Sequence, residues 1–424
     1  MDFEKHLEKY LDKKQISELM NSLEKPSLHG ALLNTNKMSD EAFISLFPNV
    51  NKHPFVEHAF IYDKNEYELG KSIYYELGCF YLQEPSAMMP SFLLKPNGND
   101  NVLDLCAAPG GKTVQASLLM NGNGTIIAND IARDRALIIL ENIEKMGLKN
   151  IVITNNDFSK IYQNYLDYFS KIILDAPCSG SGMFRKAIEM KEDWSFNKVI
   201  KFAEIQKDLI LKAYKMLAPN GTMVYSTCSF SYEEDEEVIE YLLKNTDANE
   251  ISIDDNRMFF KSSKSNHGIH LFPNLFQGEG HYICLIKKPG IENIQKNKNV
   301  QSDNFSIENK NNTDTIRFGD TKFYLKGTIR NKGLNIIRYG VKYSTIKGHD
   351  EIYDFHLSRT ITNYVDSVEI NDNELTKYLK GESLPLKTKK GMVLVKYKNI
   401  PVSFGKSDGS IIKNHYPKHL RNRF

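Results

Sequence analysis

The stretch Val102-Leu-Asp-Leu-Cys-Ala-Ala-Pro-Gly-Gly-Lys-Thr113 joins a short apolar run to a glycine-containing turn and then to a helical pattern. A strand that passes through a tight turn into a helix is typical of α/β sheets that bind a ligand at the carboxyl ends of their strands. The stretch is not a phosphate-binding P-loop, since that motif requires glycine at position 106, which is Cys106 here. The dinucleotide pattern Gly-x-Gly-x-x-Gly is also absent.

Strand-like and helix-like patterns alternate on both sides of this stretch. Short apolar runs suited to buried parallel strands occupy residues 102–105, 125–129, 151–154, 171–174 and 222–226. Helical patterns lie between them at residues 113–120, 133–146 and 199–217. This alternation predicts a doubly wound α/β sheet.

Acidic residues follow successive strands of the predicted sheet. Asp130, Asp157 and Asp175 each stand at a predicted strand end. Each acid alone could be a turn residue or a helix cap, but their common position at one edge suits a cofactor with a ribose, an adenine and a cationic tail. S-adenosylmethionine has these groups and carries no phosphate, so it fits a loop that is not a P-loop.

Two cysteines also end predicted strands. Cys178 follows the run at 171–174, and Cys228 follows the run at 222–226. A thiol at this edge of a sheet lies where ligands bind, so the pair indicates nucleophilic chemistry beside the cofactor. Cys79 and Cys284 are expected to be small core residues. The absence of any Cys-x-x-Cys pair argues against a zinc site, and we predict no metal.

The composition is ordinary for a globular protein, with 41% hydrophobic and 25% charged residues and a net charge of +2. Residues 387–424 are an exception, because they carry ten Lys and Arg against the single acid Asp408. Such a segment is a candidate for contacts with nucleic-acid phosphates. The sequence shows neither an export signal nor a membrane-spanning run, and free thiols fit a reducing compartment, so we expect a cytoplasmic protein.

The chain of 424 residues is long enough for several domains. We predict a small N-terminal α/β appendage at residues 1–80 and a central domain at residues 81–288. A polar segment rich in Asn and Lys predicts a flexible linker at residues 289–316, and a β-rich domain is expected at residues 317–424.

An acidic cluster follows Cys228. The pattern Ser231-Tyr-Glu-Glu234 predicts a capping box that opens a helix at residues 234–243. The acids at 233–237 are then favoured by the helix dipole in the first turn, which is a simpler reading than a metal site.

Three of these motifs together carry a resemblance. The stretch at 104–113, Asp175-Ala-Pro-Cys-Ser-Gly180 and Ser226-Thr-Cys-Ser229 resemble the Nop/Sun family of RNA cytosine-5 methyltransferases. Tyr81-Leu-Gln-Glu-Pro-Ser-Ala-Met88 and Leu271-Phe-Pro-Asn-Leu-Phe-Gln-Gly-Glu-Gly-His281 are similar to the family too. Lys413-Asn-His-Tyr-Pro-Lys-His-Leu-Arg421 resembles the PUA-like RNA-binding domain of its bacterial RsmF-like branch.

The chain departs from the family pattern at three positions. The stretch Ala31-Leu-Leu-Asn-Thr35 stands where the family usually shows an arginine before Asn-Thr, which puts the RNA contact implied for the N-terminal appendage at residues 1–80 in doubt. Asn274 replaces a common histidine, and Asp235 replaces a common asparagine; neither change touches the expected chemistry.

The resemblance implies a Rossmann-like methyltransferase domain in which Cys228 is the nucleophile and Cys178 assists product release. It assigns binding of S-adenosylmethionine to Asp130, Asp157 and Asp175, and to the loop residues Cys106, Ala107, Ala108, Pro109, Gly110, Gly111 and Lys112. Arg135 matches a family arginine. The expected reaction forms 5-methylcytosine in small-subunit (16S) ribosomal RNA through a cysteine adduct at carbon 6. The expected partner is that RNA or the small subunit, with no membrane and no obligate protein partner.

Three alternatives remain open. A transfer RNA could be the substrate, or the chain could be a ribosome-assembly factor that binds RNA without catalysis. A DNA cytosine methyltransferase uses a Pro-Cys thiol, as at Cys178, but the additional Thr-Cys at Cys228 favours RNA. The intact pair of cysteines argues against a catalytically silent factor.

Overall fold

A computed structural model describes residues 2–254, 256–262, 264–291, 306–310, 313–325, 329–348, 350–361, 364 and 366–423 of the chain. Within these residues no helix is both long enough and apolar enough to cross a bilayer. The predicted arrangement is confirmed: a small N-terminal α/β unit, a central sheet with helices between its strands, and β-rich structure at the C-terminal end.

The N-terminal unit is a four-stranded antiparallel sheet with short helices. Its sheet has the order β2-β3-β1-β4. The elements are α1 (Phe3–Leu7), α2 (Lys13–Leu23), β1 (His29–Leu33), α3 (Asp40–Leu46), β2 (Asn51–Lys52), β3 (Ala59–Tyr62), α4 (Ile73–Glu76) and β4 (Phe80–Gln83). The predicted boundary at residue 80 falls inside β4, because the pairing of β4 with β1 extends the unit to residue 83.

The central domain begins with α5 and is built around a parallel sheet. Its elements are α5 (Met89–Leu94), β5 (Asn101–Asp104), α6 (Gly111–Leu119), β6 (Thr125–Asn129), α7 (Arg133–Met146), β7 (Ile151–Thr154), α8 (Phe158–Asn164), β8 (Phe169–Asp175), α9 (Ile188–Glu192), α10 (Phe196–Met216), β9 (Leu217–Thr227), α11 (Glu236–Asn245), β10 (Asn249–Ile251), β11 (Ile269–His270) and β12 (Tyr282–Lys287).

The sheet order is β10-β12-β9-β8-β5-β6-β7. The five strands from β9 to β7 are parallel, and β12 is antiparallel to β9. Val102, Ile126, Ile151 and Ile172 are fully buried, as expected for strands that are covered on both faces. Strands β6 and β7 lie on one side of β5, and β8 and β9 lie on the other. Because the chain changes direction across the sheet at β5, a crevice forms at the carboxyl ends of β5 and its neighbours.

The C-terminal part contains two further sheets and one strand that belongs to neither of them. Its elements are β13 (Ser306–Lys310), β14 (Thr313–Phe318), β15 (Thr321–Tyr324), β16 (Ile336–Tyr339), β17 (Val341–Lys347), β18 (Asp350–Tyr353), α12 (Phe355–Thr360), β19 (Ser367–Glu369), α13 (Asp372–Leu379), β20 (Gly391–Tyr397), β21 (Ile400–Ser407) and β22 (Ile412–Asn414). The sheets have the orders β13-β14-β15-β17-β18 and β19-β20-β21-β22.

The structure differs from the predicted linker and domain boundary. Residues 306–310 pair with β14, and residue 317 falls within that strand. Strand β16 pairs with β7 and extends the central sheet, so the part after residue 316 does not separate cleanly from the central domain. The sequence analysis missed β13 because it identified strands by apolar runs, and this segment is polar. Backbone hydrogen bonds can still pair such a segment, since they do not depend on apolar side chains. Residues 292–305, the middle of the predicted linker, lie outside the described residues.

His53 joins the N-terminal sheet to the start of the central domain. Its Nδ1 accepts hydrogen bonds from the backbone N–H groups of Phe55 and Val56, at 3.1 and 2.9 Å. Its Nε2 lies 3.2 Å from the carbonyl oxygen of Pro85 and donates to it. Burial lowers the pKa of His53 from 6.5 to about 4, so the imidazole is neutral in the folded protein.

We predict that His53 makes stability sensitive to acid. Because its folded pKa lies below its unfolded pKa, its contribution is complete above pH 6.5 and is lost as the pH falls toward 4. His53→Gln should reduce that acid-dependent loss by up to about 3 kcal/mol. Urea unfolding between pH 4.5 and 7.5 measures the difference, and parallel stability curves for the two proteins would contradict it.

Candidate active site

The turn after β5 requires both of its glycines. Gly110 adopts φ of 108° at the start of α6, a conformation that L-residues with a side chain rarely adopt. A Cβ on Gly111 would lie 3.1 Å from the Gln83 side chain, so the N-terminal unit closes over this turn. The turn at residues 106–112 thus lies between β5 and α6 at the carboxyl end of the sheet, and its role in cofactor binding stays a prediction.

Asp130 ties the end of β6 to this turn. Its carboxyl group is 2% exposed and accepts hydrogen bonds from the backbone N–H groups of Ala108 and Ala132, at 3.3 and 3.0 Å. Arg135 lies 3.4 Å from the same carboxylate and also donates to the carbonyl oxygen of Ala108. Asp130 thus presents a buried acceptor beside the loop, in the position predicted for a ribose contact.

Asp104 contributes a second buried acceptor at the end of β5. Thr113 donates to its Oδ2 at 2.6 Å, while its Oδ1 is buried and has no hydrogen-bond partner within the described residues. Burial raises the pKa of Asp104 to about 7. An unpaired buried oxygen next to the turn fits a cofactor that brings hydrogen-bond donors, as S-adenosylmethionine does.

Asp157 has a dual position. It stands at the carboxyl end of β7, as predicted, but its side chain is exposed and caps α8 by accepting from the backbone N–H of Ser159 at 2.8 Å. One carboxylate oxygen of Asp157 therefore acts as a helix cap, which was the alternative role that the sequence offered for this acid. The role of Asp157 in cofactor binding stays a prediction.

Strands β8 and β9 bring the two predicted cysteines together. The strands are parallel neighbours, with Asp175 opposite Ser226, so the loops that follow them begin side by side. The Sγ atoms of Cys178 and Cys228 lie 3.1 Å apart. The hydrogen bond with Cys228, followed by burial, raises the pKa of the Cys178 thiol well above its usual value, so Cys178 is protonated.

Lys112 and Asp175 form an ion pair beside the cysteines. Lys112 Nζ lies 2.8 Å from Asp175 Oδ2, and Ser226 donates to Asp175 Oδ1 at 2.8 Å. Burial opposes ionisation of Asp175, but the nearby Lys112 charge and these hydrogen bonds hold its pKa below the usual value. Lys112 was predicted as part of the cofactor loop, and the structure aims its ammonium group at the strand that precedes Cys178.

Glu234 is a functional residue that the sequence analysis misassigned. The predicted capping box does not form: α11 begins at Glu236, and Ser231 Oγ has no hydrogen-bond partner within the described residues. The Glu234 carboxylate instead accepts from the backbone N–H of Ser179 at 2.8 Å and from the Ser229 hydroxyl at 2.7 Å. The Ser179 hydroxyl donates to it as well.

Glu234 therefore clamps together the two loops that carry the cysteines. Gln206 of α10 also donates to its carboxylate, at 3.2 Å. The available signal was that Cys178 and Cys228 are each followed directly by a serine, Ser179 and Ser229, which offers two hydroxyl donors to one buried carboxylate.

The sequence analysis also did not identify His281 as a residue of the site. Tyr282 pairs with Thr227 across β12 and β9, so His281 lies beside Cys228 on the neighbouring strand. Ser86 Oγ lies 2.9 Å from its Nδ1 and 2.5 Å from Glu84 Oε2. Burial and the charge of Lys112 lower the pKa of His281 to about 4, which keeps a neutral ring next to the site.

A buried acidic group lies behind the Cys228 loop. Asp235, Glu236 and His270 place one potential ligand atom each within 4.8 Å of one another, close enough to hold a metal ion. Hydrogen bonds already use part of the group: His270 Nε2 lies 2.9 Å from Glu236 Oε1, and Thr227 donates to Asp235 at 2.5 Å. Glu236 and Glu237 lie in the first turn of α11, as the sequence analysis expected, and Asp235 and Glu236 are buried.

Comparison with known proteins supports the same assignment of the three regions. The model for the N-terminal domain of 16S rRNA methyltransferase RsmF matches residues 1–85. The model for 16S rRNA methyltransferase RsmB/F matches residues 91–287, and that for the methyltransferase RsmF PUA domain matches residues 365–422.

Curated relatives match along nearly their whole length. Ribosomal RNA small subunit methyltransferase F from Vibrio vulnificus is 29% identical, over 92% of this chain and 90% of the relative. The protein of the same name from Shewanella oneidensis is 29% identical over 96% and 93%. A methyltransferase homologue from Pyrococcus horikoshii is a similar solved structure, with 27% identity, a TM-score of 0.58, and coverage of 67% of this chain and 93% of that one.

We predict that Asp130→Ala weakens S-adenosylmethionine binding by about 1–3 kcal/mol, because buried donors lose their acceptor. Asp157→Ala should weaken it similarly, whereas Asp157→Ser retains a helix cap and isolates the cofactor contact. Titration calorimetry measures the affinities, and thermal unfolding monitors loss of the cap. Wild-type affinity in Asp130→Ala and in both Asp157 variants would contradict these roles.

Proposed function

Since the chain belongs to the Nop/Sun family of RNA cytosine-5 methyltransferases, in its RsmF-like branch, we propose that it methylates carbon 5 of a cytosine in small-subunit (16S) ribosomal RNA through a covalent adduct on Cys228. The enzyme depends on S-adenosylmethionine. One observation carries the proposed mechanism: Cys228 lies 3.1 Å from a second, protonated thiol beside the ion pair of Lys112 and Asp175.

The methyl donor, when bound, supplies an electrophilic methyl group on a sulfonium ion. Residues of this chain fit it, since the turn at 106–112 and the acids Asp104 and Asp130 present buried acceptors in the crevice. The loop glycines let the backbone approach closely, and Asp130 is placed for the ribose hydroxyls. These groups bind and orient the donor.

Cys228 makes carbon 5 of the cytosine reactive. Its thiolate forms a bond to carbon 6, and the electrons of the ring double bond move to carbon 5, which becomes nucleophilic. The thiol of Cys178 can donate a hydrogen bond to the Cys228 sulfur, which stabilises the thiolate before attack.

Lys112 and Asp175 can hold the edge of the base. The Asp175 carboxylate is ionised and accepts from the cytosine amino group, while the Lys112 ammonium donates to an electronegative atom of the ring. Addition of the thiolate builds negative charge on the ring, and a nearby positive charge in a buried site stabilises it.

Product release reverses the addition. After the methyl group has joined carbon 5, Cys178 releases its own proton to water and, as a thiolate, takes the proton from that carbon. The double bond then re-forms, and the bond from carbon 6 to Cys228 breaks. Cys228 leaves as a thiolate, which Cys178 again stabilises by a hydrogen bond. Because both cysteines lie at the crevice floor, the cytosine must be unpaired or flipped out of a helix to reach them.

The names of the relatives support ribosomal RNA of the small subunit over transfer RNA. The second candidate, an RNA-binding assembly factor without catalysis, has no observation in its favour, because the thiols, the ion pair and the Glu234 clamp are all in place. A cytoplasmic location stays part of the proposal.

We predict that Cys178→Ala accumulates a covalent complex with RNA through Cys228, since the adduct still forms but its breakdown is slowed. A denaturing gel with labelled 16S RNA and S-adenosylmethionine detects the complex. Cys228→Ala should transfer no methyl group and form no adduct, and neither should the double variant. An adduct that appears in Cys228→Ala instead would make Cys178 the nucleophile.

Basic residues near the C-terminal end give another prediction. Lys406 and Lys413 are exposed and directly opposite each other on β21 and β22, an arrangement that costs stability unless an anion is bound. Lys418 is exposed nearby, whereas Arg421, which the sequence grouped with them, already donates to the carbonyl oxygen of Tyr416.

Replacing the three lysines by alanine should weaken RNA binding and reduce the slope of log affinity against log salt by about 0.7–0.9 per lost phosphate contact. Fluorescence anisotropy across a salt series measures the slope. The matched control replaces three exposed lysines of the helices α10 and α11, Lys201, Lys215 and Lys244. If both triple variants keep the wild-type slope, the basic surface makes no phosphate contacts.

A further inference from the structure

A cleft of about 390 Å³ opens between the N-terminal sheet and the loop that follows Cys178. His29 at the start of β1, Tyr62 at the end of β3 and Gln83 at the end of β4 share one edge of that sheet and line one wall. Lys186, from the loop after Cys178, lines the other wall. The cleft is therefore bounded by two parts of the chain that the sequence separates widely.

Two residues that line the cleft contact segments of the active site. Gln83 lies against Gly111 of the cofactor turn, where an added Cβ would come within 3.1 Å of it. The next residue, Glu84, accepts a hydrogen bond from the backbone N–H of Glu279, in the segment that leads to His281 beside Cys228. A polymer that places one residue in the active site would thus have its neighbouring residues over this cleft.

Exposed cations surround the cleft. Lys64, Lys71 and Lys186 are exposed members of its lining. Of the two acids in the lining, Glu68 is paired with Lys71 at 2.8 Å, and Glu84 is occupied by hydrogen bonds from Ser86 and its neighbours. Lys64 and Lys186 carry the remaining positive charge. The pair of Lys71 with Glu68 is exposed, so Lys71 can exchange Glu68 for a phosphate. These charges favour a polyanion.

An aromatic ring lies inside this cationic rim. His29 is half-buried, and its ring centroid is 5.7 Å from that of Tyr62, with the planes tilted by 39°. Burial and the charges of Lys186 and Lys64 lower the pKa of His29, so its ring is neutral near pH 7. A neutral flat ring backed by a tyrosine is suited to stacking with a nucleobase.

We propose that this cleft binds the single-stranded RNA segment adjacent to the target cytosine, with Lys64, Lys71 and Lys186 at its phosphates and His29 against a base. Basic side chains along a groove with an aromatic stacking surface are the usual combination for single-stranded RNA. The inference rests on the proposed function and assigns a second substrate contact outside both the cofactor turn and the basic C-terminal surface.

The test replaces Lys64, Lys71 and Lys186 together by alanine in the full-length protein. Binding of a fluorescein-labelled single-stranded oligoribonucleotide with one central cytosine is followed by anisotropy over a salt series. We expect weaker binding and a salt slope smaller by about 0.7 for each lost contact. KM for RNA should rise at least fivefold with kcat within about twofold, since no variant touches the thiols.

The Lys201, Lys215 and Lys244 triple variant is the matched control and should behave like the wild type. If the cleft variant also keeps the wild-type slope and KM, the proposal is wrong. If it binds the naked oligonucleotide normally but loses affinity for assembled small subunits, the cleft contacts a ribosomal protein, and the assignment to RNA is overturned.

His29 is tested with 2-aminopurine on either side of the target cytosine. Stacking quenches its fluorescence, so the wild type and His29→Phe should quench one position, and His29→Ala should not. Equal quenching in all three proteins would contradict stacking on His29. These binding measurements need no methyl transfer, so an inactive wild-type enzyme would refute the proposed function without deciding the outcome for the cleft.

Discussion

The pairing of β8 with β9 is the constraint on which the rest of the site depends. The parallel register places Asp175 opposite Ser226. Cys178 comes three residues after Asp175, and Cys228 comes two residues after Ser226. The two thiols are fifty residues apart in the sequence, and the hydrogen bonds between these two strands bring the loops that carry them side by side, with the sulfurs 3.1 Å apart. A shift of register by one residue would turn the side chains to the opposite face and separate them.

Glu234 adds a further tie between the loops that follow these strands. Its buried carboxylate accepts hydrogen bonds from Ser179 and Ser229, one on each cysteine loop, and from Gln206 of α10. Burial raises the pKa of Glu234, and the donors around it oppose that shift. A buried carboxylate is costly unless its oxygens are bonded, so the same donors that stabilise it also order the two loops.

The three regions of the chain form one connected structure around the sheet. Asn34 of the N-terminal unit donates to the carbonyl oxygens of Gly78 and Met146, which links that unit to the end of α7. His6 of α1 lies 3.1 Å from Glu233, next to the Glu234 clamp. On the other side of the sheet, β16 pairs with β7, and Asn335 and Asn156 exchange hydrogen bonds. Both flanking regions therefore form hydrogen bonds or ion pairs with the central domain, and the C-terminal region also adds a strand to its sheet.

The sequence by itself determined the order of strands and helices in the central domain, the cofactor turn, and the identity of the two cysteines. These features are local: apolar runs form strands, glycines permit the turn, and short motifs carry reactive groups. Only the tertiary structure decided that Lys112 pairs with Asp175, that Glu234 clamps loops instead of capping a helix, and that β16 joins the central sheet. Those contacts join residues far apart in the chain, and a polar residue's partner depends on which donors burial brings to it, information that local spacing does not contain.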